Sequence, residues 1–228
     1  MCGIIGYLGK GVAQESLVDG LRRLEYRGYD SAGVAFHEGD QFSLSRETGR
    51  VNNLAEALRE SSSTSSLGIA HTRWATHGEV TVSNTHPHLS YDKRFVLVHN
   101  GVIENFNTLK RFLMSKGIEF VSETDSEVLC NLIAYHYSEL PEADDRFIDA
   151  VRLALPQCRG AYGIAVLCLD SPDTMVGARR GSPLVVGLGE DANFIASDAS
   201  AFVGRAKEAV FLNDGELAIL KGNEFRIT

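Results

Sequence analysis

Several short segments of this chain are apolar at four or five consecutive positions. The clearest are Phe95-Val96-Leu97-Val98 and Gly163-Ile164-Ala165-Val166-Leu167. A strand with one face in water alternates apolar and polar residues, so unbroken runs predict strands that are covered on both faces. Two sheets stacked on each other, with helices on the outer faces, satisfy this requirement. The sequence therefore predicts a four-layer arrangement of the α+β class.

Apolar spacing and stop signals predict four helices within one domain. The first begins at Ala13 and ends at Arg27-Gly28, and the second runs from Phe106 to Lys116-Gly117. The third runs from Thr124 to Leu140, and the fourth from Asp145 to Leu155. Thr124 and Glu127 have the spacing of a capping box. The serine-rich stretch 61–66 is interpreted as a mobile surface loop. Eleven strands are predicted: 3–8, 32–37, 41–46, 67–72, 95–99, 162–168, 174–179, 184–187, 193–196, 209–212 and 215–220.

Composition excludes several classes of function. The 228 residues carry a net charge of -8, with a sequence pI of about 5.4, which argues against a nucleic-acid or anionic-membrane surface. No segment approaches the ~20 apolar residues that cross a bilayer, and the chain does not begin like a signal peptide. Cys130, Cys158 and Cys168 lack C-x-x-C spacing and are expected to be small buried residues. We expect a cytoplasmic protein without disulfides.

Three polar stretches stand out from their apolar surroundings: 71–78 and 99–101, which follow predicted strands, and 123–125 at a helix start. Polar loops after strands often carry sites. Each stretch also has an ordinary explanation. Asn100-Gly101 is a strong turn signal, Asp125 favours a helix N-terminus, and Arg73 with Trp74 is compatible with a surface stack.

The histidines leave a metal-dependent hydrolase open as an alternative. His71, His77, His86 and His88 fall within 18 residues. No H-E-x-x-H or C-x-x-C pattern accompanies them, which disfavours a metal site. Structural roles are the preferred interpretation for most of these histidines.

Cys2 is the most unusual position, because a thiol directly follows the initiator methionine and precedes a buried strand. Removal of Met1 would leave Cys2 with a free α-amine, whose ordinary pKa of about 7.7–8.0 suits general acid–base work. One residue would then supply both nucleophile and base. Asn100 and Gly101 are candidate oxyanion donors. Arg73 suits a carboxylate and Asp125 an ammonium, which together describe a pocket for glutamine.

Long motifs support this interpretation. They are CGIIGYLG at 2–9, GLRRLEYRGYDSAG at 20–33, GIAHTRWATHG at 68–78, HPH at 86–88, VHNGVIEN at 98–105, FVSETDSEV at 120–128, RGAYG at 159–163, GSPLVVGLG at 181–189 and FIASD at 194–198. The chain resembles the glutaminase domains of glutamine–fructose-6-phosphate aminotransferases, a family of class-II glutamine amidotransferases. Amidophosphoribosyltransferases, a sister family, usually carry HRGQ-like residues where this chain has Tyr26 to Asp30.

The resemblance implies an αββα sandwich of the N-terminal-nucleophile hydrolase type and no cofactor. It implies that Cys2 is the nucleophile and that Asn100 and Gly101 form the oxyanion hole. The remaining implied roles concern the substrate and the N-terminus. The glutamine α-carboxylate would be bound by Arg73, Thr76 and His77, and its amino group by Asp125 with Gly101. Trp74 would lie on a loop that closes over bound glutamine. Arg27 would order the N-terminal residue.

The resemblance also bears on the extent of the chain. The family's enzymes continue into two sugar-phosphate isomerase domains, for which 228 residues leave no room. Residues 2–228 are therefore expected to be the glutaminase domain of a homodimeric parent enzyme, which would use the ammonia to aminate fructose 6-phosphate. Alternatives are the glutaminase domain of another class-II amidotransferase, or a non-catalytic regulatory module if Met1 is retained.

Overall fold

Two antiparallel β-sheets form the centre of the structure. The computed structural model describes residues 2–74 and 79–228. The helices of this part are α1 (Ala13–Leu24), α2 (Val51–Glu60), α3 (Phe106–Ser115), α4 (Asp125–Glu139) and α5 (Arg146–Ala154). The strands are β1 (Gly3–Gly9), β2 (Ser31–His37), β3 (Phe42–Thr48), β4 (Leu67–Arg73), β5 (His88–Leu89), β6 (Phe95–Ile103), β7 (Gly160–Cys168), β8 (Thr174–Arg180), β9 (Val185–Leu188), β10 (Ala192–Ala196), β11 (Glu208–Phe211), β12 (Leu217–Lys221) and β13 (Glu224–Ile227).

Each sheet has one strand that leads directly to the predicted site. The seven-stranded sheet has the order β11-β9-β10-β1-β4-β2-β3, so β1 is its central strand and Cys2 lies at that strand's start. The six-stranded sheet has the order β13-β12-β8-β7-β6-β5, and β6 carries Asn100. β1 pairs with β4 antiparallel, and Ile4 lies opposite His71.

The layers follow the predicted order of helix, sheet, sheet and helix. Side chains of α1 and α2 pack on the outer face of the seven-stranded sheet. Side chains of α3, α4 and α5 pack on the outer face of the six-stranded sheet. A third group, which includes Ile4, Ile69, Val98 and Ala165, fills the space between the sheets. Because both faces of the central strands are covered, their apolar runs do not alternate with polar residues.

Most predicted elements are present, and the differences have physical explanations. Helix α2 was not predicted, although Val51, Leu54 and Leu58 have helical spacing and are buried. The two-residue strand β5 and the hairpin strand β13 were also not predicted. Strand β6 continues to Ile103 instead of ending at position 99, because β7 pairs with it along its whole length. Asn100-Gly101 is therefore part of a strand and not a turn.

One local prediction, the capping box at Thr124 and Glu127, holds only in part. Thr124 does cap α4, since its side chain accepts a hydrogen bond from the Glu127 amide. Glu127 does not complete the capping box; its carboxylate accepts from the amides of Val121 and Ser122 instead. The serine-rich stretch 61–66 joins α2 to β4 and is anchored there by hydrogen bonds to neighbouring segments.

Two sequence-based expectations about the chain as a whole can also be compared with the structure. All four cysteines are free. Cys130, Cys158 and Cys168 are buried, which confirms the expectation for these three residues. No helix in the described part of the chain has both the length and the apolar character that a membrane span requires.

The packing of Phe95 predicts a large loss of stability on truncation. Its ring is fully buried and lies 5.1 Å from Tyr137 and 5.7 Å from Phe147, between ring centroids. We expect Phe95→Ala to lower the free energy of unfolding by about 3–5 kcal/mol, as measured by urea denaturation. Phe211→Ala is the matched control, because Phe211 is 69% exposed; we expect its loss to stay below about 1 kcal/mol. Equal losses in the two variants would contradict this assignment of the core.

Candidate active site

A cavity of about 360 Å³ lies where the starts of β1 and α4 meet the ends of β4 and β6. Its lining includes five of the residues predicted from the sequence: Cys2, Arg73, Trp74, Gly101 and Asp125. These residues come from distant parts of the chain and from both sheets. The fold therefore brings together a thiol, a guanidinium and a carboxylate around one space of amino-acid size.

The Cys2 thiol is half-buried and contacts the backbone of Trp74. The Trp74 amide donates a hydrogen bond to Cys2 Sγ at 3.1 Å, and Sγ lies 3.6 Å from the Trp74 carbonyl oxygen. Burial raises the pKa of the Cys2 thiol, although the Trp74 amide and the positive charge of Arg73 act in the opposite direction. A thiol with a raised pKa needs a base to become a nucleophile. Met1 lies outside the described residues.

The end of β4 is held against the segment that follows α1. The Thr72 hydroxyl donates to the Gly28 carbonyl at 2.6 Å, and the Asp30 amide donates to the Arg73 carbonyl at 3.0 Å. A Cβ on Gly28 would lie 2.7 Å from the carbonyl group of Arg73, so only glycine permits this approach. Gly28 was predicted as a helix stop, and its close contact with β4 is a further requirement.

Asn100 connects the two sheets beside the cavity. Its amide nitrogen donates to the Cys2 carbonyl at 2.9 Å, and its amide oxygen lies 3.0 Å from Nε2 of His71. The amide nitrogen carries two hydrogens, so one remains available for a further acceptor. The neighbouring Gly101 has a φ of 131° and a Cβ there would lie 2.1 Å from the Ala161 carbonyl oxygen. Glycine is therefore required at 101, and the oxyanion role of both residues stays a prediction.

Asp125 opens α4 and is tied to the six-stranded sheet. One carboxylate oxygen accepts a hydrogen bond from the Ile103 amide at 2.7 Å. The other lies 3.4 Å from the Ser126 hydroxyl and 4.0 Å from Nδ1 of His99. Asp125 thus has a specific tertiary partner in addition to the favourable charge at a helix start.

Arg73 and Trp74 do not form the surface stack that the sequence left open. Arg73 is buried, lines the cavity and donates to the Glu79 carbonyl at 3.3 Å. Trp74 is half-exposed and packs edge to face on Tyr29, with ring centroids 5.5 Å apart. The predicted carboxylate ligands Thr76 and His77 lie outside the described residues, and their roles stay predictions.

Arg27 makes its ion pair with a residue that the sequence did not indicate. Its guanidinium lies 3.0 Å from the Asp198 carboxylate, which also accepts from the Tyr26 hydroxyl. Burial acts to raise the pKa of Asp198, but hydrogen bonds from Ser200, Arg27 and Tyr26 outweigh it and hold the pKa below its usual range. Asp198 closes the FIASD motif, which is the signal for it in the sequence. The role of Arg27 at the N-terminus stays a prediction.

Four buried histidines lie at the cavity, and two of them, His86 and His99, line it. The His71 and His86 rings are nearly parallel, with centroids 4.1 Å apart, and the His88 ring contacts His86 edge-on at 4.6 Å. Burial lowers the pKa of His71 and of His88 to about 3 and lowers that of His86 as well. Nδ1 of His99 contacts the Ser126 hydroxyl at 2.9 Å. The sequence indicated structural roles for most histidines. It did not indicate that His71 contacts Asn100 or that His99 contacts α4.

The metal-dependent alternative finds no support in this cluster. Within residues 2–74 and 79–228, no group of three or more His, Cys, Asp or Glu side chains is arranged to hold a metal ion. His77, one of the four histidines that suggested it, lies outside those ranges.

Comparison with known proteins identifies the family of this chain. The family model of class-II glutamine amidotransferases matches residues 20–186. This chain belongs to that family. It is 45% identical, over 97% of its length, to a glutamine–fructose-6-phosphate aminotransferase (isomerizing) from Caldanaerobacter subterraneus subsp. tengcongensis, and 47% identical, over 96%, to one from Clostridium perfringens. The chain spans 35% of the length of each of these relatives.

Solved structures agree with the predicted sandwich. A glutamine phosphoribosylpyrophosphate amidotransferase from B. subtilis aligns with a TM-score of 0.83 at 25% identity, over 100% of this chain and 49% of the other. An allosteric regulatory enzyme of purine biosynthesis aligns with a TM-score of 0.85 at 25% identity, over 100% of this chain and 48% of the other. The prediction of an αββα sandwich of the N-terminal-nucleophile hydrolase type is thereby confirmed.

The buried histidines of this class-II amidotransferase domain predict a loss of stability in mild acid. An unfolded histidine has a pKa of about 6.5, whereas burial holds that of His71 and of His88 at about 3. Below a pH of about 6.5 the unfolded chain therefore binds more protons than the folded chain. The free energy of unfolding is highest above this pH and decreases as the pH falls towards 3. Between pH 6.5 and 5 we expect a loss of up to about 2 kcal/mol per histidine, measured by urea denaturation at a series of pH values.

His88→Gln is the control for this pH dependence. Glutamine does not titrate, and its amide can bond the Thr124 hydroxyl, which lies 3.1 Å from Nε2 of His88. The loss of stability between pH 6.5 and 5 should shrink by up to about 2 kcal/mol in this variant. An unchanged dependence on pH would rule out His88 as a contributor.

Proposed function

We propose that this domain hydrolyses L-glutamine to L-glutamate and ammonia through a thioester on Cys2. The observation that carries the proposal is the meeting of Cys2, Arg73, Gly101 and Asp125 around one cavity. The guanidinium of Arg73 suits the α-carboxylate of glutamine, and the carboxylate of Asp125 suits its ammonium. An amino acid held in this way would present its side-chain amide to the thiol. Family membership supports the same substrate.

The chemistry needs a base, an electrophile and an oxyanion site. With Met1 removed, the α-amine of Cys2 accepts the thiol proton, directly or through one water. The thiolate attacks the amide carbon, and the carbonyl oxygen becomes an oxyanion near the Asn100 amide and the Gly101 N–H. The amine then returns the proton to the leaving nitrogen, so that ammonia departs and a γ-glutamyl thioester remains. Water hydrolyses the thioester to glutamate and restores the thiol.

The similarity to glutamine–fructose-6-phosphate aminotransferases supports a finer proposal. The relatives are about three times as long as this chain, which covers 35% of each. We assign residues 2–228 to the glutaminase domain of such an enzyme. In this assignment the isomerase domains belong to the longer parent enzyme, a homodimer in which the ammonia aminates fructose 6-phosphate. The four free cysteines support a reducing compartment such as the cytoplasm.

Labelling followed by mass measurement tests the nucleophile. The intact mass of the protein would be measured before and after incubation with a diazo-ketone analogue of glutamine. We expect a mass that lacks Met1, and one added group located on Cys2. A retained Met1 together with an absence of labelling would favour a non-catalytic regulatory module. Labelling of another residue would contradict the proposed mechanism.

Replacement of the nucleophile has a definite expected outcome. Cys2→Ala should reduce ammonia release from glutamine to background, because Cys2 is the one cysteine among the described residues that line the cavity. The circular dichroism spectrum and the calorimetric affinity for glutamine should remain close to those of the unmutated domain. Cys168→Ala is the matched control, since Cys168 is fully buried and is not among the described residues that line the cavity. Substantial turnover by the Cys2 variant would refute the assignment.

Replacement of Arg73 tests the substrate carboxylate site. Lysine keeps the charge but loses the paired N–H groups of the guanidinium. Arg73→Lys should therefore raise the KM for glutamine by about 10- to 100-fold, equivalent to one charge-assisted hydrogen bond, with a smaller change in kcat. Arg152→Lys, at a partly exposed arginine in an i,i+3 ion pair, controls for the substitution itself. The role of Arg73 would be untenable if the KM did not change.

A further inference from the structure

One hydrogen bond crosses between the sheets directly behind the nucleophile. His71 lies on β4 of the seven-stranded sheet, and Asn100 lies on β6 of the six-stranded sheet. Nε2 of His71 is 3.0 Å from Oδ1 of Asn100. Neither residue is among the described ones that line the cavity. The Asn100 amide contacts the Cys2 backbone, whereas the His71 ring is 1% exposed and contacts Asn100. The effect of His71 on the reaction would have to pass through Asn100.

The positions of the hydrogens in this contact follow from the neighbouring groups. The Cys2 carbonyl oxygen can only accept a hydrogen bond, so the amide nitrogen of Asn100 must face it, at 2.9 Å. The amide oxygen of Asn100 then faces His71 and can only accept. His71 must therefore donate from Nε2. Burial lowers the pKa of His71 to about 3, so the ring is neutral near pH 7 and carries one proton. The contact with Asn100 assigns that proton to Nε2.

The His71 ring is itself held firmly in place. It is 1% exposed and stacks on His86 with an interplanar angle of 15°. His86 is fixed in turn, because its Nδ1 accepts a hydrogen bond from the His99 amide at 3.3 Å. The donor that faces Asn100 thus belongs to a rigid group of rings rather than to a mobile side chain.

We propose that His71 is a positioning residue, which holds the Asn100 amide with its nitrogen towards Cys2 and its free N–H available to the reacting oxygen. The two ends of an asparagine amide have nearly the same shape, so only the partners decide which end faces the nucleophile. If the amide were reversed, its oxygen would face the Cys2 carbonyl and the developing oxyanion, and both contacts would be repulsive. This inference rests on the proposed glutaminase activity.

Two substitutions at His71 separate the donor from the ring. His71→Phe keeps a flat ring for the stack on His86 but cannot donate. We expect kcat for glutamine hydrolysis to fall by about 10- to 100-fold, with little change in KM, because the lost effect is confined to the transition state. His71→Gln keeps an amide donor of similar reach and should recover most of kcat. A folded glutamine variant as slow as the phenylalanine variant would overturn the proposal.

A double-mutant cycle with Asn100 tests whether His71 acts through that residue. In an Asn100→Ala background the further change His71→Phe should cost no additional kcat, because the amide to be oriented is absent. Multiplicative losses would show that His71 acts independently, and the proposal would then be wrong. Urea denaturation of each variant verifies folding; if His71→Phe does not fold, His71→Asn, which is too short to reach Asn100, replaces it.

A matched control variant at His37 and the unmutated domain distinguish a failure of this inference from a failure of the proposed function. His37 is also buried, and its Nε2 contacts the Leu169 carbonyl at 2.9 Å, outside the lining of the cavity. His37→Phe should lower stability and leave kcat unchanged. If the unmutated domain with Met1 removed neither hydrolyses glutamine nor is labelled at Cys2, the proposed function fails. If the unmutated domain is active and the folded His71→Phe variant retains its kcat, only the role of His71 fails.

Discussion

The packing of the two sheets on each other is the contact on which the site depends. Its apolar layer includes Ile4 of β1, Ile69 of β4 and Val98 of β6, all fully buried. Side chains two residues apart on a strand share a face. Two residues before or after these three positions lie Cys2, His71 and Asn100. The candidate site is therefore the end of the inter-sheet layer, where apolar side chains give way to polar ones.

This position explains both the rigidity and the energetic cost of the site. Polar groups buried between sheets lose water and must find partners within the protein. The Asn100 amide satisfies this requirement by bonding the Cys2 carbonyl on one side and His71 on the other. Asp125, at the start of α4, accepts a hydrogen bond from the Ile103 amide at the end of β6. Since these partners belong to different elements, small shifts of either sheet would break several bonds together. The same packing that stabilises the fold thus holds the reactive groups in register.

Several features of the fold could be predicted because their signals are local. The unbroken apolar runs indicated two covered sheets, and the Thr124 cap and its following stripe indicated α4. Other elements had signals that were present but weaker. Helix α2 shows Val51, Leu54 and Leu58 at helical spacing, and the turn before β13 is the two-residue Gly222-Asn223. A turn of this composition between two strands is a known hairpin signal. Short elements carry little periodic information, so these were not distinguished from loops.

Sequence alone determined the four layers, the residue types at the site and, through long motifs, the family. It did not determine the partners of those residues. Asn100-Gly101 has the composition of a turn, and only pairing with β7 makes it part of a strand. Arg27 meets Asp198, and Asn100 meets His71, across large sequence separations. The direction of a side chain and its hydrogen-bond partners depend on how the sheets pack. The same polar residue could bond several groups or water, and burial removes all but one of these arrangements.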